Sequence, residues 1–281
     1  MVIGAPRADA AARPSGQRTS ASRPYGEARS PPPGAYAAKM TRTTRLTLDA
    51  DGQLRHLIPP GELSNDLAGW IADDFVALGL IPPDAFERTF VSVVGDAWLP
   101  FYLNTLRELA CGGAPGGTNA GMAPVHDRVA DLARGSVVEL GCCFGFLSLR
   151  LARDGHEVTA VDVCPGTVAL LAAIAPALGT PLHAVVGDAT ALPLADHSAD
   201  TVLAVHLLEH LPPALASEVI AEMVRVARHR VVVAVPFEDA PNPTWGHIRT
   251  FDRTDLAALG DATGRPYTVD EHHGGWLVVD A

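Results

Sequence analysis

Residues 206–210 read His-Leu-Leu-Glu-His, two imidazoles and a carboxylate within five positions. On a helix, H-x-x-E-H would present both histidines on one face for a zinc ion, with a further ligand still needed downstream. The surroundings argue against a helix. An apolar, β-branched run from Thr201 to Val205 leads into the motif, and Pro212 and Pro213 follow it. That context predicts a strand running into a loop. At a strand end these side chains can take a proton, bind an ion or only shape the turn, and the pattern alone leaves all three open.

A second constellation lies upstream, in VVELGCCFGFLSLRLARDGHEVTAVDV. An apolar run ends in Glu139, the loop carries Gly141 and Gly145, a helical stretch follows, and the next apolar run ends in Asp162. In open α/β sheets ligands bind outside the carboxyl ends of the strands. Glycines let the backbone come close to a ligand, and a helix start offers free N–H groups to an anion such as a carboxylate. Asp162 is positioned to take both hydroxyls of a ribose. The loop GCCFGF does not supply the dinucleotide fingerprint G-x-G-x-x-G. Glu139, two residues before the first glycine, would repel a pyrophosphate but suits a ligand with an ammonium group. Further on, VVGDATALPL places Asp188 to accept from an adenine amino group, with the N–H of Ala189 towards the ring.

The elements that must hold these residues follow from periodicity. SVVEL, EVTAVDV, LHAVVGD, TVLAVHL and RVVVAVP read as strands, and helical stretches separate most of them. Such alternation means β-α-β units and a parallel sheet. The closing stretch, PYTVDEHHGGWLVVD, reads as a hairpin about Gly274 and Gly275, adding one antiparallel strand. Upstream, residues 41–58 predict a short strand pair around DADG, and Gly61 to about Cys111 has helical spacing. There Trp70, Phe75, Phe86, Phe90, Trp98, Phe101 and Tyr102 are expected to form the core of a helical lid. The Gly-rich CGGAPGGTNAG, residues 111–121, reads as a linker or mobile loop, with a helix resuming at APVHDRVADLAR. Residues 1–40, rich in Pro, Ser, Gly, Ala and Arg, lack the apolar surface to fold, and translation starting at Met40 is the simplest account of them. The expected organisation is therefore a disordered basic tail at 1–40, a mainly helical substrate-covering segment at 41–121, and a catalytic domain at 122–281.

At these residues the chain resembles the class I S-adenosylmethionine-dependent methyltransferases. ELGCCFG is similar to their E/D-x-G-x-G-x-G loop, with Cys143 in place of the middle glycine. Asp162 matches the ribose-binding acid, GDA at 187–189 the adenine contact, and HSADTVLAVHLLEHL the fourth strand with its active-site edge. The resemblance covers about residues 123–281. It implies a Rossmann-like α/β fold with a mostly parallel sheet and an antiparallel last strand, and S-adenosylmethionine as methyl donor. The cofactor-binding set carried over is Glu139, Gly141, Cys143, Gly145, Asp162, Val163, Asp188, Ala189 and His206. A finer resemblance, through VAVPFED, GHIRTF and EHHGGWL, is to the mycofactocin oligosaccharide methyltransferases. It implies O-methylation of a sugar hydroxyl; a natural product or quinone acceptor, or a non-catalytic binder of the cofactor, are the alternatives.

A sugar hydroxyl is a poor nucleophile until its proton is removed, so a general base helps. His210 is the expected base, Glu209 orients it or binds substrate, and His247 is second in line. Some members with E-x-x-E-H at this place use a divalent ion, but His206 stands here for the first Glu, so a metal is left open. Six of the eleven histidines follow residue 205. His206, His210, His247, His272 and His273 are expected on the carboxyl edge of the sheet, and His229, before its strand, on the opposite edge. Cys142 and Cys143 read as small loop residues.

Composition narrows the partners. Beyond residue 40 the chain has fifteen basic and thirty acidic residues, a surface that repels phosphate backbones and excludes nucleic acid. No apolar run approaches the roughly 20 residues of a membrane span, and the N-terminus lacks the apolar core of a secretory signal. Four cysteines without a C-x-x-C pair point to a reducing cytoplasm. The expected partner is a small-molecule or oligosaccharide acceptor.

Overall fold

The computed structural model describes residues 45–49 and 53–281. The tail expected at 1–40 and the tip of the DADG turn lie outside them. The hairpin itself forms, with β1 (Leu46–Leu48) antiparallel to β2 (Leu54–His56). Three helices follow: α1 (Asp66–Ile71), which continues as a wider turn to Val76, α2 (Phe86–Val94) and α3 (Trp98–Ala110).

The next helix departs from expectation. α4 runs from Thr118 to Leu132, straight through Gly121 and Pro124, so the Gly-rich link is confined to the residues before Thr118. Gly121 and Pro124 make this a poor helix by propensity. Its start is held by a remote acid: the Asp66 carboxylate accepts the Asn119 N–H at 2.8 Å. A carboxylate at a helix N-terminus satisfies a free donor and opposes the helix dipole. Gly117 makes room for it, since a Cβ there would stand 2.3 Å from Asp66 Oδ2.

Beyond α4 the βα rhythm is as the periodicity predicts. The strands are β3 (Val137–Leu140), β4 (Val158–Asp162), β5 (His183–Val186), β6 (Ala199–Val205), β7 (Ala227–Val235), β8 (Tyr267–Glu271) and β9 (Gly275–Asp280). Between them lie α5 (Phe146–Arg153), α6 (Pro165–Ala177), α7 (Pro213–Val226) and α8 (Arg253–Ala262). The sheet order is β5-β4-β3-β6-β7-β9-β8. β9 pairs antiparallel with both β7 and β8, and the strands from β5 to β7 are parallel. This is the expected Rossmann-like α/β sheet with its reversed last strand. All four residues of β3 are buried, as an apolar central strand covered on both faces should be. The order switches between β3 and β6, and such a switch opens a crevice at the strands' carboxyl ends.

The helical segment is fused to the sheet rather than laid over it. One buried cluster joins Phe75, Phe90, Phe101 and Tyr102 of the helical segment to Cys142, Phe144, Leu149 and Leu171 of the catalytic domain. Phe144 stacks among Phe90, Trp98, Phe101 and Phe146, with ring centroids 5.5–6.3 Å apart. The aromatic run thus packs as the core of the helical segment, and its seam is the glycine loop itself. Among the described residues no helix is long and apolar enough to cross a membrane.

Candidate active site

Glu139 stands near the end of β3, buried, and accepts a hydrogen bond from Ser148 Oγ of α5. Burial pushes its carboxyl up to about 7, although the Ser148 bond works the other way. The loop after it needs left-handed backbone at three places: Gly141 (φ 69°), Cys143 (φ 50°) and Gly145 (φ 72°). Gly145 caps the start of α5, and a Cβ there would stand 2.4 Å from Leu171 Cδ2. At Cys143 the chain accepts the strain that a glycine would avoid. Its N–H donates to Asp162 Oδ2 at 2.8 Å, and the Cys164 N–H donates to Oδ1 at 2.8 Å. Asp162 therefore pins the loop, and each oxygen keeps lone-pair capacity for another donor. Asp188 is exposed, with Oδ1 turned to its own turn, accepting from the Thr190 N–H and hydroxyl at 2.8 and 2.7 Å.

A cavity of about 400 Å³ opens over the β3–β6 switch. Of the residues singled out by sequence, Glu139, Gly141, Cys143, His206, His210, His247 and His273 line it. Gly145, Asp162, Val163, Asp188, Ala189 and His272 do not; the first five follow or end the neighbouring strands β3, β4 and β5 at their carboxyl ends. His229 lies inside β7 rather than before it, 3.8 Å from Asp200 near the other end of the sheet.

The His-x-x-Glu-His run is strand then turn. His206 leaves β6 with φ 53°, its N–H donating to the Ala234 carbonyl, and Leu208–His210 make one 3₁₀ turn. The helical zinc spacing is absent. Burial lowers His206 to about 4 and His210 to about 3, so both imidazoles are neutral at pH 7. His210 Nδ1 faces the Gly246 carbonyl at 3.1 Å, and His247 Nδ1 faces Glu238 Oε2 at 2.7 Å. The Gly246 carbonyl can only accept, so His210 carries its proton on Nδ1 and, being neutral, keeps the lone pair on Nε2. The two rings lie 5.0 Å apart. Glu209 is buried behind them, and burial raises its carboxyl above the ordinary range.

Sequence reasoning missed three residues. Asn119 and His126 of α4 are buried, line the cavity, and leave Asn119 Oδ1 and His126 Nδ1 without hydrogen-bond partners. Glu238, the acid that orients His247, also lines it. Asn119 carried no legible signal because its helix was read to begin later, at Ala123; His126 fell inside the helix as read, but nothing in its spacing marked it as facing a cavity. Glu238 was within reach, since it follows the β7 carboxyl end where ligands bind. The 236–251 loop closes the wall by placing Trp245 edge-on to Phe86 of the lid, centroids 5.9 Å apart.

Residues 138–235 match a protein family described as a methyltransferase domain. The chain is similar to a demethylmenaquinone methyltransferase of Beutenbergia cavernae, 38% identical over 121 residues, 42% of this chain and 43% of that protein. The chain thus spans less than half the length of that curated relative. Among solved structures it is similar to a SAM dependent methyltransferase from Aquifex aeolicus, with 15% identity and a TM-score of 0.49 over 63% of this chain and 97% of that one. It is also similar to the magnesium protoporphyrin IX methyltransferase of Synechocystis PCC 6803 with bound SAM, with 19% identity and a TM-score of 0.47 over 67% and 94%.

Proposed function

We propose that the protein is a class I, S-adenosylmethionine-dependent methyltransferase that methylates a hydroxyl of a small, hydroxyl-rich acceptor, a reading supported by the match of residues 138–235 to a methyltransferase domain. The observation that carries this reading is a single cavity that joins the glycine loop and Glu139 to the neutral imidazole of His210, with its Nε2 lone pair free.

The residues fit the donor. Gly141 is a cradle in which a Cβ would meet Leu207 at 2.9 Å, and the buried Glu139 carboxyl is a partner in waiting for an ammonium group. Glu139 would hold that ammonium, the backbone of Gly141, Cys143 and Gly145 the carboxylate, Asp162 the ribose, and Asp188 and Ala189 the adenine, with Val163 and His206 alongside. S-adenosylmethionine supplies an electrophilic methyl group on a sulfonium. The chain contributes alignment and proton handling: His210, neutral at pH 7, accepts the hydroxyl proton at Nε2, while the lid aromatics and Trp245 exclude water.

For the acceptor we favour a sugar hydroxyl of a mycofactocin-type oligosaccharide. The motif resemblance supports it, as does a wall with unpartnered polar atoms on Asn119 and His126. A quinone acceptor is the second reading, favoured by the B. cavernae relative's name and by Phe86, Phe90 and Trp245 among the lining residues. Calorimetry with S-adenosylhomocysteine is expected to show binding that Asp162→Ala weakens at least about tenfold, one lost charge-assisted hydrogen-bond pair. Incubation with S-adenosylmethionine and the oligosaccharide is expected to give a singly methylated product, with kcat falling about 10²-fold in His210→Ala. No cofactor binding at all overturns the methyltransferase reading. Undiminished turnover in His210→Ala overturns the base.

A further inference from the structure

Asn119, near the start of α4, is fully buried and lines the cavity, yet its Oδ1 has no hydrogen-bond partner among the described residues. An unpaired buried acceptor is costly, and folded proteins keep few of them. The rest of the residue is engaged. Its Nδ2 donates to Glu108 Oε2 at 2.7 Å, and its backbone N–H donates to Asp66 Oδ1 at 2.8 Å.

Those bonds decide which way the amide faces. A carboxylate accepts and does not donate, so Glu108 selects the NH₂ end of Asn119 and repels the carbonyl end. Turning the amide over would set two oxygens against each other where a 2.7 Å hydrogen bond now stands. Oδ1 is therefore held away from Glu108 as a fixed acceptor. His126, seven positions further along α4, is also buried and lines the same cavity, and its Nδ1 likewise lacks a partner. Seven positions are two turns on one helix face, ~10 Å along the axis. Burial lowers His126 to about 3, so its ring is neutral at pH 7. An amide oxygen and a neutral imidazole suit hydroxyl groups, which both donate and accept, and do not call for a counter-ion. Every residue given above to S-adenosylmethionine ends or follows one of the strands β3 to β6, which leaves this face of α4 to the acceptor.

We propose that Asn119 is a specificity-determining residue for the acceptor, its Oδ1 taking the hydrogen of an acceptor O–H, and that Glu108 is the positioning residue that holds this oxygen ready. The inference rests on the hydroxyl-rich acceptor proposed above and sharpens it. A ligand that presents only acceptor oxygens there, as an oxidised quinone does, would set oxygen against oxygen and leave Oδ1 unpaired, so the site rejects it. Sites built to hydrogen-bond a substrate hydroxyl discriminate strongly against analogues that lack it, because the buried partner is then stranded.

Ligand-detected NMR on the full chain saturated with S-adenosylhomocysteine tests this with two probes. Methyl glucoside carries hydroxyl donors; its fully O-methylated counterpart keeps every oxygen and has no donor. The glucoside is expected to bind at least about tenfold tighter. Asn119→Leu, close in volume and without the acceptor, is expected to cancel that preference by weakening the glucoside alone, with S-adenosylhomocysteine affinity unchanged. Glu108→Gln, at a partly exposed position, can donate as well as accept and so frees the Asn119 amide to turn over. It is expected to strengthen binding of the methylated probe severalfold, a gain that loss of structure does not produce. No preference in the parent, a preference that survives Asn119→Leu, or a fall in S-adenosylhomocysteine affinity with Asn119→Leu overturns the proposal. If the parent binds no S-adenosylhomocysteine, the methyltransferase reading fails, and the two probes, titrated without it, still decide the role of Asn119.

Discussion

Glu139 is an acid that the fold keeps at odds with water. Burial raises its carboxyl from about 4.5 to about 7, so between those pH values the unfolded chain releases this proton and the folded chain retains it. Stability from Glu139 is therefore present at acid pH and is lost as pH rises through about 7, by up to about 3 kcal/mol. Glu139→Gln is expected to melt higher than the parent at pH 8 and about level with it at pH 4. A cofactor ammonium beside Glu139 would draw the proton off, so binding below pH 7 should release protons, read as a buffer-dependent calorimetric enthalpy. A melting difference independent of pH would contradict the assignment. Glu139, Asp162 and the His206–His210 run were legible as chemistry from strand ends alone. What Asn119 lacks was not, because a missing hydrogen bond is a property of the folded surroundings.

At the level of elements, the glycine loop is held from outside its own domain. Tyr102 of α3, fully buried, donates its hydroxyl to the Phe144 carbonyl at 2.7 Å. Tyr102→Phe leaves that carbonyl unpaired and should cost about 1–3 kcal/mol in thermal or denaturant melts. Cofactor affinity should fall with it, because the loop loses a tether. Unchanged melting and unchanged affinity together would show that the bond is idle. Strands and helices with clear periodicity were readable, including the 3₁₀ turn at 208–210 as a break from helix. The start of α4 was not: its glycines and proline argue for a loop locally, and the Asp66 carboxylate that holds Asn119 comes from 53 positions away. The cavity residue Asn119 stayed hidden for the same reason, whereas His126 lay in the helix as read and only the fold shows that it faces the cavity.

For the molecule as a whole, the decisive fact is the shared core. Aromatic side chains of the helical segment and of the glycine loop form one buried cluster. The helical segment should not melt ahead of the sheet it packs on. Calorimetry is expected to show a single transition, with van't Hoff and calorimetric enthalpies in agreement. Two resolved peaks would mean that the segment is a separate folding unit. The sequence division at residue 121 falls inside α4, one turn beyond its first residue, Thr118.

The reversed strand sets a timetable. β8 touches the sheet only through β9, and β9 is made after β8 on the ribosome. The edge strand must therefore wait, unpaired, for residues 275–280 before it can dock. The turn between them, with His273 facing the cavity and Gly274 (φ 128°) against the Val235 carbonyl, sets only when both strands are in place. The cavity wall at His273 accordingly sets later than the glycine loop, and a nascent chain can assemble that loop well before the cavity is closed.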